Sequence, residues 1–216
     1  GWPDAFRRSR TVFSIPREGT RRLLNDSAGF PRFPTMGLRF SAVAALLAAA
    51  VVAANGETVS VFTSGDDGYH SFRIPAVITA NDGSLLAFCE ARKNNSKDHG
   101  DIDLVMKRSP DHGRTWTDLR TIHDGGGAGE ITMGNPVPVV DATSGTVHLL
   151  FCRNNSEVFH ITSGDNGGTW SAPVSITKEL KKEGWGWYAT GPCHGIQLTS
   201  GKQKGRLIVP ANHRLG

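Results

Sequence analysis

From residue 57 onward the chain alternates short apolar runs with polar turns at intervals of roughly ten residues. The runs "TVSVFT", "FRIPAVIT", "SLLAFCEA", "DIDLVMKR", "TVHLLFCR" and "EVFHITS" have the length of strands rather than of helices. In "DIDLVMKR", Ile102, Leu104 and Met106 share one face while Asp103 and Lys107 share the other, the period of two that extended backbone imposes. Between the runs lie "NDG", "TSG" and "SGK", the residues that tight hairpin turns need. No stretch beyond residue 57 carries the period of a long amphipathic helix. The pattern predicts an all-β meander.

Two turns repeat. "SPDHGRTW", from Ser109 to Trp116, returns as "SGDNGGTW", from Ser163 to Trp170, with Ser, Asp, Gly, Thr and Trp in the same places. In each copy the Asp carboxylate can accept backbone N–H groups across the turn, and the Gly can take a positive φ. The Trp is then placed to plug the space between neighbouring sheets. Their 54-residue spacing fits one four-stranded propeller blade of about 40–50 residues. "SGDDGYHS", from Ser64 to Ser71, lacks the Thr-Trp and reads as an ordinary turn.

Charge changes the picture little. The net +4 resides in residues 1–35, where seven arginines face three acids, so the rest of the chain is formally neutral. An acidic polymer such as nucleic acid is therefore not an expected partner. Met36 opens "MGLRFSAVAALLAAAVVAANGE", where Arg39 precedes an uncharged run from Phe40 to Ala54. That is the layout of a secretory signal peptide over residues 36–56, with cleavage after Ala54 or Gly56. At 15 residues the run falls short of the roughly 20 that a membrane-spanning helix needs. Residues 1–35 are expected to be disordered, and two origins stay open: an untranslated leader or an arginine-rich targeting extension.

Three cysteines, Cys89, Cys152 and Cys193, make no disulfide framework and no metal-ligand spacing. Cys89 and Cys152 sit in strand-like apolar runs, where buried thiols are expected. Asn94 and Asn154 head Asn-x-Ser sequons, compatible with a secreted route. "GGGAG", Gly125 to Gly129, lacks the Lys-Ser/Thr of a phosphate-binding loop.

The stretch from Tyr69 to Trp116 joins Phe72-Arg73-Ile74-Pro75, "EAR", an acidic loop and the first repeated turn in one order. It resembles the amino-terminal blade of the exo-α-sialidases (neuraminidases), whose Asp-boxes the repeated turns also resemble. "GNPVPVVD", "WYATGPCHGIQL" and "GRLIVPANHR" resemble later segments of that family, so the likeness covers about residues 58–214. It implies a partial six-bladed β-propeller over residues 57–216 with about three to four blades present.

The resemblance also implies a site. Sialic acid carries a carboxylate, and a guanidinium pairs with it bidentately while keeping its charge at any working pH. Arg73 lies in an apolar run before Pro75, where a charge is costly unless it faces a polar cavity. By resemblance it is the first arginine of a substrate-gripping triad. Arg92 and Asn135 are expected to line the same pocket. Asp98, Asp101 and Asp103 are all open to a general acid/base role, and the family pattern selects Asp98, in the polar loop before the strand. Tyr188, Asn212 and His213 are placed near the N-acyl and glycerol groups. Trp185 and Trp187 read as core or rim packing.

The family's tyrosine nucleophile, its glutamate and two further arginines come from later blades. Tyr69 and Tyr188, the only tyrosines, do not sit where the nucleophile would. The expectation is an amino-terminal fragment, inactive by itself, of a secreted or lysosomal retaining glycoside hydrolase. Such an enzyme acts on sialylated glycoproteins, glycolipids or oligosaccharides, without metal or organic cofactor. A non-catalytic Asp-box propeller that binds glycans or proteins is the alternative.

Overall fold

In the computed structural model the described residues are 58–125 and 129–215. The leader and signal-peptide readings lie outside them, as does most of "GGGAG". Strands β1 (Ser71–Thr79), β2 (Leu85–Arg92), β3 (Ile102–Ser109) and β4 (Arg120–His123) form one antiparallel sheet in that order. A second sheet repeats the plan with β5 (Met133–Val140), β6 (Val147–Arg153), β7 (Glu157–Ser163) and β8 (Val174–Ser175). A single-turn helix, α1 (Thr177–Leu180), follows. Strand β9 (Trp185–Thr190) then pairs with β12 (Ala211–Leu215), and β10 (Ile196–Gln197) pairs with β11 (Leu207–Ile208).

This is the all-β, partial propeller that the sequence pattern predicts. Two four-stranded blades are complete, and the last two ladders open a third, at the low end of the expected blade count. The run "TVSVFT" forms no strand among the described residues. Phe62 from it instead packs on Phe72 and joins the cluster of Tyr69, Cys89, Ala91 and Val105.

Alternation along β2 and β3 builds two apolar layers rather than one apolar and one wet face. Leu86, Phe88, Leu104 and Met106 of the first blade meet Met133, Leu149, Phe151 and Ile161 of the second. The opposite face of the same strands carries Cys89, Ala91 and Val105, covered by Tyr69, Phe62, Phe72 and Leu119. Asp103 belongs to that second face, where it is buried and accepts a 2.7 Å bond from the Tyr69 hydroxyl.

Both repeated turns close identically. Asp111 and Asp165 each accept a backbone N–H and a hydroxyl from Thr115 and Thr169, at 2.8 and 2.7 Å. Ser109 and Ser163 receive the N–H of Gly113 and Gly167 at 2.8 Å, and those glycines have φ of 88° and 83°. Trp170 plugs the space between blades, edge-on to Phe88 with ring centroids 5.8 Å apart. Trp116 instead folds onto its own turn, its indole N–H donating to the Gly113 carbonyl at 3.1 Å. "SGDDGYHS" closes by backbone bonds such as Tyr69 N–H to Asp66 C=O at 3.0 Å, as an ordinary turn does.

Candidate active site

The inner strand of each blade carries the same irregularity. In β1 the pairing with β2 slips between Arg73 and Ala76, with Ile74 at φ 55° ahead of Pro75. In β5 it slips between Gly134 and Val137, with Asn135 at φ 56° ahead of Pro136. At the end of β9, Gly191 has φ 82° ahead of Pro192. Proline gives up no ladder bond at such a bulge, because it has no N–H to donate. The bulge re-aims the side chains beside it, and a left-handed β-branched residue such as Ile74 is strained, a cost that clusters at functional sites.

The β1 and β5 bulges open onto a cavity of about 260 Å³. The first blade contributes Arg73, Ile74, Glu90, Arg92 and the loop residue Asp98; the second contributes Asn135 and Asn155; the β9–β12 ladder contributes Trp187 and Arg214. The loop carrying Asp98 is tied at its base by the Lys93 N–H to the Asp101 carbonyl (3.1 Å) and the Gly100 N–H to the Thr132 hydroxyl (3.2 Å). Asp98 therefore rises over the cavity from a fixed root, with its side chain 75% exposed.

One Asp98 oxygen, Oδ1, meets Nη1 of Arg73 at 2.7 Å and Nη1 of Arg92 at 2.9 Å. The two arginines differ sharply in setting. Arg73 is 48% exposed and pairs only with Asp98 among the described acids. Arg92 is 2% exposed and donates through both terminal nitrogens, to Ser96 C=O at 2.6 Å and to Glu90 Oε2 at 2.6 Å, while its buried Nε has no hydrogen-bond partner. Burial pushes the Glu90 carboxyl above the usual carboxylate range, opposed by its bonds from Arg92 and from the Asn135 N–H. Burial likewise pushes the Cys89 thiol up to about 12.

Arg73, Arg92, Asp98 and Asn135 are thus brought together as the sequence predicts. Tyr188, Asn212 and His213 are not. Tyr188 is buried against Cys152 and Val158 and stacks on Trp185. His213, the register partner of Tyr188 across the β9–β12 ladder, also stacks on Trp185, with ring centroids 3.5 Å apart. The Asn212 amide reaches only the Gly191 carbonyl, at 3.5 Å. For Tyr188 and His213 the reason is the two-residue period: Trp187 and Arg214, their neighbours in sequence, face the cavity instead, with the Arg214 guanidinium 5.2 Å from the Trp187 ring centroid. Glu90 and Asn155 also line the site unannounced. The signal for Trp187 was the alternation of "WGWYAT", and for Glu90 it was an acid in an otherwise apolar strand. Among the described residues no group of histidine, cysteine, aspartate and glutamate side chains could hold a metal ion.

Repeated Asp-turn blades with a cation-lined cavity on their inner strands define an Asp-box propeller with a site suited to an acidic ligand. The chain belongs to the BNR repeat-like domain family, which it matches over residues 51–216. It is 38% identical to an exo-α-sialidase of Arthroderma benhamiae, over 68% of this chain and 42% of that protein. To sialidase-3 of Bos taurus it is 34% identical, over 70% of this chain and 39% of the relative. Among solved structures, the Hadza microbial sialidase Hz136 superposes with a TM-score of 0.64 at 28% identity, over 74% of this chain and 38% of that one. The resemblance to the exo-α-sialidase family is thereby borne out. The chain spans about two-fifths of the length of the curated relatives it matches.

Proposed function

We propose that this chain forms the amino-terminal part, residues 57–216, of an exo-α-sialidase that removes terminal sialic acids from glycoconjugates. The observation that carries the reading is the convergence of Arg73 and Arg92 on Asp98 at an inner-strand cavity, in a chain similar to sialidases. Arg73 is the half-exposed cation, and it receives the substrate carboxylate in a bidentate pair. That carboxylate takes the place of Asp98 on Arg73, which frees Asp98 to turn toward the glycosidic oxygen. Asp98 then gives its proton to that oxygen as the bond to the anomeric carbon breaks. The nucleophile of a retaining pathway in this family is a tyrosine, and we assign it to the part of the relatives' length that this chain does not cover. Asp98, left as the carboxylate, takes a proton from the water that releases the sugar. Residues 36–56 would direct the protein to a secreted or lysosomal compartment. No helix among the described residues is long and apolar enough to cross a membrane.

The test is the full-length protein on a fluorogenic sialoside across the acidic to neutral range. Release of the fluorophore supports the reading. A folded protein with no turnover, which still binds sialylated glycans, would instead support a glycan-binding propeller.

A further inference from the structure

Glu90 occupies a place where the alternation of β2 calls for an apolar side chain, on the face that Leu86 and Phe88 use for the core between blades. A carboxylate there is costly unless both oxygens are paired, and both are. Oε2 holds Nη2 of Arg92 at 2.6 Å, and Oε1 accepts the backbone N–H of Asn135 at 3.0 Å. The second blade makes room for it: a Cβ on Gly134 would stand 2.3 Å from Oε1, so only glycine leaves the seat open. Asn135 sits at φ 56°, and its side-chain amide donates from Nδ2 to the side-chain Oδ1 of Asn155 at 2.7 Å.

We propose that Glu90 is a positioning residue for the site: from beneath, it neutralises Arg92 and pins the β5 bulge, so that Asp98 is held on Arg92 by one nitrogen only and stays available for proton transfer. This rests on the sialidase reading. Glu90 and Asp98 are two anions sharing one buried guanidinium, so each limits how strongly the other is held. The charged and titratable groups around Glu90 are Arg73 on the paired position of β1, Cys89 beside it in β2, Arg92, Asp98, Cys152 of β6, and Arg214 across the cavity. Arg92 consequently serves as a link between two acids, and Arg73 is left as the anchor for the ligand.

The test uses the full-length protein on a sialyl-oligosaccharide, whose leaving group needs a proton. In Glu90→Gln, Asp98 has the Arg92 charge to itself and gives up its proton more readily. The alkaline limb of the kcat profile should therefore move to lower pH, by about one unit, with KM little changed. Gly134→Ala keeps every charge but puts a methyl group on the carboxylate's seat, and should move the limb the same way. It also carries the test should Glu90→Gln not fold. Glu90→Asp retains the anion and should return the limb toward wild type. Activity of the wild type checks the sialidase reading separately. With that activity present, lower yield or melting temperature but an unmoved limb in the folded variants would mean that Glu90 is merely structural, and the proposal falls.

Discussion

Arg73 and Asp98 are joined at 2.7 Å across the mouth of the cavity, so the half-exposed Arg73 guanidinium is already occupied by a carboxylate of the protein's own. A ligand carboxylate that pairs with Arg73 must exchange with Asp98. The same contact therefore sets the expectations for both residues.

Asp98→Asn removes the competing anion and the transferable proton together. In the full-length protein, binding of sialic acid should hold or tighten. Turnover of a natural disaccharide should fall about 10²- to 10⁴-fold. The loss should be smallest on an aryl sialoside, whose phenolate leaves without protonation. Equal losses on both substrates would move the acid role away from Asp98, with Asp101 next to test.

Arg73→Lys keeps the charge but loses the fork. A charge-assisted pair of this kind contributes roughly 1.5–3 kcal/mol. Calorimetry of sialic acid binding should show a loss of roughly 10- to 150-fold, with turnover also reduced. A variant with unchanged affinity would show that Arg73 does not hold the ligand.

The strand period separates Trp187 from Tyr188. Trp187→Ala should weaken ligand binding with little effect on melting, because its ring lies at the cavity under Arg214. Tyr188→Ala should do the reverse, since it opens a hole beside Cys152 and Val158; truncating a buried aromatic side chain costs about 3–5 kcal/mol. Paired melting curves and titrations distinguish the two.

The Asp-box turns make stability fall in acid. The Thr115 and Thr169 backbone N–H groups hold the Asp111 and Asp165 carboxyls down at about 2, from an ordinary 3.8. A folded value below the unfolded one means that the contribution is present above about 3.8 and is lost as pH falls through about 2. Asp165→Asn should lower the melting temperature at pH 5 and flatten its decline between pH 4 and 2. Ser163→Ala leaves the buried Gly167 N–H without its acceptor and should cost about 1–3 kcal/mol in denaturant unfolding.

Local physics made much of this protein legible from its sequence. Strand length, the period of two and the turn residues determined an all-β chain, because these follow from backbone geometry within a few residues. The Ser-Asp-Gly-Thr-Trp repeat determined two identical turns, whose bonds close within eight positions. Arg73 was legible for a related reason, since a charge in an apolar run is locally out of place, whereas Asp98 was singled out from Asp101 and Asp103 only by the family resemblance. The tertiary structure alone decided which side of the β9–β12 ladder faces the cavity. Sequence order places Trp187 beside Tyr188 and Arg214 beside His213, and only the packing of β9 on Cys152 and Val158 says which of each pair turns inward. It also decided the part played by Glu90. A buried carboxylate is tolerable only with partners, and its partners Arg92 and the Asn135 N–H come from two different blades, 45 residues of chain separating Glu90 from Asn135. That pairing is long-range, and no local pattern encodes it.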